Sequence, residues 1–95
     1  MDCAAWMYSH EWFHVRYHLT MDELDRLAQR RRSVRPAELH RILTRAGFVA
    51  REGRGSHRVY KHPNMIGILT IPQNRNPVRA VYVDEVIKAV REVQQ

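Results

Sequence analysis

Residues 45–72, RAGFVAREGRGSHRVYKHPNMIGILTIP, decide the fold of this 95-residue chain. Gly47 can supply the left-handed residue that ends a helix, and residues 48–52 after it are extended in character. The Gly53-Arg54-Gly55-Ser56 run predicts a turn, and residues 57–62 alternate in the manner of a strand. This part of the stretch therefore predicts two strands joined by a tight turn.

A third strand completes the stretch. Pro63-Asn64 turns the chain a second time, and residues 66–71 form an extended run that Pro72 stops. Strands that follow one another through short turns pair with their neighbours in sequence. The stretch as a whole predicts a three-stranded antiparallel meander.

A helix is predicted on each side of the meander. Pro36 suits the first helical position, because its fixed φ is already helical and its missing N–H is not needed there. Apolar side chains then recur at i, i+3, i+4 and i+7, at Leu39, Ile42, Leu43 and Ala46. The closing helix, which runs to about residue 93, has its stripe at Val83, Val86, Ile87, Val90 and Val93. Two helices on one face of this sheet make an α+β two-layer sandwich.

The first 35 residues predict a helical extension of the domain formed by residues 36–95. Thr20 and Glu23 have the spacing of a capping box, and the apolar residues after them predict a helix over residues 21–32. The residues before this helix are rich in aromatic and histidine side chains. We expect the aromatic side chains to pack on the domain or on a second copy of the chain, which would make a homo-oligomer through residues 1–35.

Charge and size narrow the class of function. The chain has 16 Lys and Arg against 10 Asp and Glu, and residues 36–95 hold ten of these cations and five of the acids. A small basic unit favours a polyanionic partner, because phosphates attract clustered cations and binding releases counterions. A chain this short excludes a large two-domain enzyme, and no apolar run reaches the roughly 20 residues of a membrane span. With one cysteine, Cys3, it fits a reducing compartment, and we expect a cytoplasmic protein.

Four ordered motifs resemble those of the HicA (YcfA-like) toxins of bacterial toxin–antitoxin pairs. They are Arg45-Ala46-Gly47-Phe48, Gly55-Ser56-His57, Tyr60 followed by His62-Pro63, and Leu69-Thr70-Ile71-Pro72. The resemblance covers residues 36 to about 93. It implies a fold like that of double-stranded-RNA-binding domains, cleavage of messenger RNA, a single catalytic histidine and a HicB-like antitoxin as partner.

His57 is the histidine to which the resemblance assigns catalysis. RNA carries its own nucleophile, the 2′-hydroxyl, so a ribonuclease need only remove that proton, stabilise charge on the phosphoryl oxygens and protonate the leaving oxygen. Imidazole suits proton transfer near neutral pH. We therefore expect His57 to act as general base, or as the single general acid/base, without a metal or other cofactor.

The turn, strand and loop around this histidine carry the predicted RNA-binding residues. Gly55 lets the backbone approach a phosphate, Ser56 can donate a hydrogen bond, and Arg54 and Arg58 can hold phosphate charge. Three further cations lie on the same strand or on a nearby loop. The predicted RNA-binding set is Arg54, Gly55, Ser56, Arg58, Lys61, Arg75 and Arg79.

Other side chains of the region have structural interpretations. An aromatic residue in a short sheet such as Tyr60 belongs more often to the core or to an antitoxin interface than to a base-stacking site. His62 lies an odd number of positions after the catalytic histidine, so strict alternation places it on the opposite face, where it packs or caps beside Pro63. Arg41 and Arg51 are interpreted as solvated surface.

Two other functions are compatible with the sequence. One is a non-catalytic RNA-binding module of the same fold. The other is a zinc-dependent hydrolase, because His10-Glu11-Trp12-Phe13-His14 has the two-histidine spacing of zinc proteases and His18 extends it by one helical turn. A zinc protease also needs a cleft-forming domain and a ligand from elsewhere, so adventitious metal binding or a solvated helix face fits these histidines better.

Overall fold

The computed structural model of the chain describes residues 18–94. These residues form, in order, α1 (Met21–Gln29), α2 (Pro36–Arg45), β1 (Val49–Glu52), β2 (His57–Lys61), β3 (Leu69–Pro72) and α3 (Ala80–Val93). The strands make an antiparallel sheet with β2 in the middle. The predicted order of helix, meander and helix is therefore confirmed, and the fold is α+β. Within the described residues, no helix is long and apolar enough to cross a membrane.

The two faces of the sheet differ, because alternation along β2 divides its side chains between them. Tyr60 lies on the face that packs against α2 and α3, and it is fully buried together with Ile71 of β3. His57, Val59 and Lys61 lie on the other face, which we call the open face. His57 and Lys61 are exposed there.

The core lies between the sheet and helices α2 and α3. It is built from the apolar stripes that the sequence predicts, with Ile42 only partly buried. Full burial of one such aliphatic side chain stabilises the fold by about 1.5–3 kcal/mol. The fully buried members from these three elements are Leu39, Leu43, Tyr60, Ile71, Val83, Val86 and Val90.

Helix α1 packs on α3 and joins the same core. Leu24 and Leu27 are 1% and 2% exposed, and Val34 after the helix is fully buried. The backbone N–H and C=O of Leu19 each make a 2.8 Å hydrogen bond to the side-chain amide of Gln94. Helix α1 is thus joined to α3 and the common core through buried apolar side chains.

The start of α1 follows the prediction from the sequence. The Thr20 hydroxyl accepts from the Glu23 backbone N–H at 3.1 Å, and the Glu23 carboxylate accepts from the Thr20 backbone N–H at 3.0 Å. Both bonds of the capping box are present. The backbone hydrogen bond from Thr20 is the main reason that the pKa of Glu23 lies below its usual value.

The end of α1 differs from the prediction. The helix ends at Gln29 instead of residue 32, because the chain turns at Arg30 and carries Val34 into the core. There the Val34 carbonyl accepts a 2.9 Å hydrogen bond from the Val78 backbone N–H. The Arg30 guanidinium pairs with Glu38 of α2 at 2.7 Å instead of extending the last turn of α1.

Strand β3 is shorter than predicted. It begins at Leu69, which pairs with Tyr60, and not at residue 66. Ile66 is fully exposed, and Gly67 has φ of +88°, a value that an extended strand does not use. Ile66 is therefore an apolar residue of an exposed loop, and its hydrophobicity does not mark the start of the strand.

Candidate functional site

His57 is held by the turn that connects β1 to β2. The Gly53 N–H donates to the His57 carbonyl at 2.9 Å, and the His57 N–H donates to the Arg54 carbonyl at 3.2 Å. Gly55 has φ of +64°, which L side chains rarely adopt. A Cβ on Gly53 would lie 3.0 Å from Cγ2 of Val59 and 3.2 Å from the His57 carbonyl oxygen. The turn thus needs both glycines, and it fixes the backbone of His57.

The imidazole of His57 is exposed, and its hydrogen bond defines its tautomer. Nδ1 lies 3.1 Å from the carbonyl oxygen of Arg54. A carbonyl oxygen only accepts, so Nδ1–H donates to it and Nε2 of the neutral ring keeps its lone pair. An oriented, exposed imidazole with a free lone pair is suited to accept a proton from a bound ligand.

Four of the predicted RNA-binding residues lie on the same side as this ring or in its turn. Arg54, Gly55 and Ser56 form the exposed turn itself. Lys61 lies on the open face, four residues along β2 from His57, which corresponds to roughly 13 Å of extended chain. A ligand on the open face would therefore meet the turn at one end of β2 and Lys61 at the other.

Arg75 and Arg79 border a groove that begins beside His57. Pro72 is the cross-strand partner of His57, and the Ser56 carbonyl accepts a 2.7 Å hydrogen bond from the Gln73 N–H. These two connections join the turn to the loop after β3. The groove has a volume of about 320 Å³ and is lined by Pro72, Asn74, Arg75, Val78, Arg79 and Tyr82.

Four of the five cations in the predicted RNA-binding set make no ion pair with a carboxylate within residues 18–94. Within the described part of the chain, six arginines make ion pairs with acids, namely Arg26, Arg30, Arg31, Arg45, Arg58 and Arg91. Arg54, Lys61, Arg75 and Arg79 make none among these residues and are exposed. Their charges are available to a polyanion.

Arg58 is placed differently from the rest of the predicted set. Its side chain lies on the helix-covered face, opposite to that of His57. Its Nε donates to Oε2 of Glu52 at 3.3 Å, and its Nη1 lies 3.4 Å from Nδ1 of His40. The structure therefore brings Arg58 into a polar cluster with Glu52, His40 and Tyr60 and not to the turn.

His40 of α2 was not singled out by the sequence. Its Nδ1 accepts a 2.9 Å hydrogen bond from the Tyr60 hydroxyl. Burial lowers the pKa of His40 below its ordinary value, and the nearby Arg58 guanidinium lowers it further, while Glu52 opposes this. Burial likewise raises the pKa of Tyr60. Tyr60 is the signal in the sequence that indicates such a residue, because the hydroxyl of a tyrosine in the core needs a hydrogen-bond partner.

Tyr60 and His62 have the structural roles that the sequence favours. Tyr60 is fully buried, which excludes it as a base-stacking platform. His62 is 4% exposed; its Nδ1 accepts from the Asn64 N–H at 3.0 Å, and its Nε2 donates to the Ala46 carbonyl at 3.2 Å. Its ring packs on Phe48 with centroids 4.9 Å apart.

The zinc-like motif His10-Glu11-Trp12-Phe13-His14 lies outside the described residues. His18 is exposed at the start of the described chain. From residue 18 to residue 94, no three His, Cys, Asp or Glu side chains are grouped so that they could hold a metal ion.

Residues 36–91 match the family model of the HicA toxin of bacterial toxin–antitoxin systems. The chain belongs to the HicA toxin family. It is therefore the toxin of a toxin–antitoxin pair, and a cognate antitoxin is its partner. Neither a curated protein nor a solved structure shows a significant match to it.

The architecture of this HicA-family chain agrees with the family. Residues 36–93 have the α-β-β-β-α layout of HicA, which is like that of double-stranded-RNA-binding domains. The Gly47-Phe48 motif ends α2, where Gly47 has φ of +96° and Phe48 is buried. Helix α1 precedes the matched region and is an addition to it.

Proposed function

We propose that this HicA-family toxin is a metal-independent endoribonuclease that cleaves messenger RNA with His57, and thereby stops translation and growth. The observation that carries the proposal is the hydrogen bond from His57 Nδ1–H to the Arg54 carbonyl, at 3.1 Å. It leaves Nε2 of an exposed ring free to accept a proton. Family membership and the unpaired cations around the ring support the same conclusion.

The chemical step uses the 2′-hydroxyl of the RNA as nucleophile. His57 Nε2 accepts the hydroxyl proton while the 2′-oxygen forms a bond to the adjacent phosphorus. The bond from phosphorus to the 5′-oxygen of the next nucleotide breaks, and that oxygen takes a proton from the imidazolium or from water. The products are an RNA with a 2′,3′-cyclic phosphate and an RNA with a 5′-hydroxyl.

The surroundings of His57 supply binding and charge stabilisation. In the proposal the exposed turn of Arg54, Gly55 and Ser56 contacts the scissile phosphate, and Arg54, whose carbonyl bonds to the ring of His57, is the cation of that turn. Lys61, Arg75 and Arg79 neutralise phosphates further along the strand. Hydrogen bonds from charged donors to phosphate oxygens are short and strong, and they stabilise the charge that develops in the transition state.

The same surface is the proposed binding site of the antitoxin. We propose that a HicB-like antitoxin silences the toxin by covering His57 and the open face, and that the pair functions in the cytoplasm. A protein with acidic side chains toward this surface would pair with the cations that lack carboxylate partners within residues 18–94.

The test is cleavage of RNA by the purified toxin in the presence of a metal chelator. His57→Ala is expected to lower the rate roughly 10²- to 10⁴-fold, the usual contribution of a positioned general acid or base, and to leave RNA binding intact. His18→Ala is the matched control. His18 borders Arg91 and Gln94, at the end of α3 distant from Arg79, and its substitution is expected to leave the rate unchanged.

Each alternative outcome of this test identifies a different function. RNA binding without cleavage by the wild-type toxin would indicate an RNA-binding module of the same fold. Cleavage that the chelator abolishes would contradict metal-independent catalysis. Cleavage that survives in His57→Ala would show that another group is the base.

A further inference from the structure

We propose that the groove between β3 and the start of α3 binds the nucleotide next to the cleaved phosphate, and that Tyr82 stacks on its base. This inference rests on the proposed ribonuclease function and defines its substrate as single-stranded RNA. It adds a binding residue, Tyr82, to those predicted around His57.

The groove lies next to the strand position of His57. Its lining includes Pro72, the cross-strand partner of His57. The hydrogen bond from the Gln73 N–H to the Ser56 carbonyl ties the loop of the groove to the turn that holds the base. A strand whose phosphate lies at His57 therefore has its neighbouring nucleotide at the mouth of the groove.

The lining of the groove carries positive charge and an amide that is available for hydrogen bonding. Arg75 and Arg79 are exposed on its rim, and neither has an ion pair with any residue from 18 to 94. The side-chain amide of Asn74, which carries both donors and an acceptor, likewise makes no hydrogen bond within this part of the chain. Two free guanidinium groups next to a free amide suit a phosphate and the edge of a base.

The groove is also lined by an aromatic side chain, that of Tyr82. Tyr82 is half-buried, packed against the core on one side, and it also lines the groove. Its hydroxyl has no hydrogen-bond partner among the described residues. An aromatic ring within a basic groove is the usual platform for bases of single-stranded nucleic acid, because stacking needs bases that are not already paired. Tyr60 of β2 is buried and cannot take this role.

The test measures binding independently of cleavage. The probe is a fluorescent 2′-O-methyl RNA of about eight nucleotides, within the range bound by small single-strand modules. It has no free 2′-hydroxyl and cannot be cleaved by the proposed step. We expect Tyr82→Leu to weaken binding of this probe roughly tenfold and Tyr82→Phe to retain it. A duplex of the same sequence is expected to bind more weakly, and its affinity is expected not to change in Tyr82→Leu.

A second pair of variants does not disturb the core. Arg79→Gln removes one phosphate contact and is expected to reduce the slope of log affinity against log salt by about 0.7 for a single strand. Arg41→Gln makes the same chemical change at an exposed arginine outside the groove and is expected to leave the slope unchanged. Circular dichroism is used to check that each variant is folded.

The outcomes separate this inference from the proposed function. Unchanged binding by folded Tyr82→Leu and Arg79→Gln overturns the groove assignment, whether or not His57 is catalytic. Loss of binding to the cognate antitoxin, with RNA binding unchanged, assigns the groove to the protein partner and also overturns it. Weaker RNA binding by these variants, in a toxin that does not cleave RNA, supports the groove and contradicts only the ribonuclease proposal.

Discussion

His57 and Arg58 are adjacent in β2, yet their side chains lie on opposite faces of the sheet and serve different groups. His57 is exposed on the open face and bonds to the turn carbonyl. Arg58 points toward α2 and pairs with Glu52. Adjacency in sequence therefore does not make them a joint phosphate site, and the two residues are expected to respond differently to substitution.

Substitution of two arginines by glutamine tests this division. Arg54→Gln is expected to reduce the slope of log RNA affinity against log salt by about 0.7 and to change the free energy of unfolding by less than about 0.5 kcal/mol. Arg58→Gln is expected to lower the free energy of unfolding by about 1 kcal/mol and to leave the salt slope unchanged. Salt titrations of RNA binding and urea unfolding measure the two effects. The reverse pattern would place Arg58 at the phosphate.

The polar cluster around His40 predicts a pH dependence of stability. The pKa of His40 in the folded protein lies below its ordinary value of 6.5, first because of burial and then because of Arg58. As pH falls below 6.5, the unfolded chain binds a proton that the folded protein does not, so the free energy of unfolding falls until the folded pKa is passed. We expect this dependence to be smaller in His40→Gln, measured by urea unfolding between pH 7 and pH 5. An unchanged profile would contradict the lowered pKa of this partly buried histidine.

The packing of α1 predicts that it is part of the stable fold. Leu24→Ala and Leu27→Ala each remove a side chain that is 1–2% exposed and are expected to lower the free energy of unfolding by about 2–5 kcal/mol. Met21→Ala, on the same helix and 64% exposed, is the control and is expected to change it by less than about 0.5 kcal/mol. Equal, small effects of all three substitutions would mean that α1 does not belong to the cooperative unit.

Removal of residues 1–17 tests the zinc-hydrolase alternative. The truncation deletes His10, Glu11 and His14 but keeps Leu19 and Thr20, which contact Gln94 and cap α1. RNA cleavage is expected to persist without added zinc. Loss of cleavage together with loss of stoichiometric zinc from a folded truncated protein would favour the metal site instead.

Much of the fold could be predicted from short-range patterns in the sequence. Pro36 and the apolar spacing after it define α2, the Thr20–Glu23 pair defines the start of α1, and glycines define the turn before β2. These signals depend only on residues a few positions apart, where local geometry dominates. His57 was singled out through the resemblance of Gly55-Ser56-His57 to a motif of the HicA family, and its catalytic role stays a prediction.

The remaining features depend on how neighbouring elements pack against each other, which short patterns do not report. Arg30 forms an ion pair with Glu38 after the end of α1. Arg58 pairs with Glu52 and lies close to His40, and its side chain does not lie at the turn. Tyr82 and Arg75 line the same groove because the start of α3 lies beside β3. An exposed arginine on a loop and an arginine in a polar cluster have the same local sequence pattern, because their difference lies in residues of other elements that pack around them.

If the imidazole of His57 transfers the proton of a ribose hydroxyl, free imidazole in solution can replace it in a variant that lacks the ring. RNA cleavage by His57→Ala is measured in a chelator with increasing concentrations of free imidazole. We expect almost no cleavage without imidazole, and cleavage that rises with the imidazole concentration and leaves 2′,3′-cyclic phosphate ends. Cleavage by His57→Ala at the wild-type rate, with no imidazole present, would contradict it.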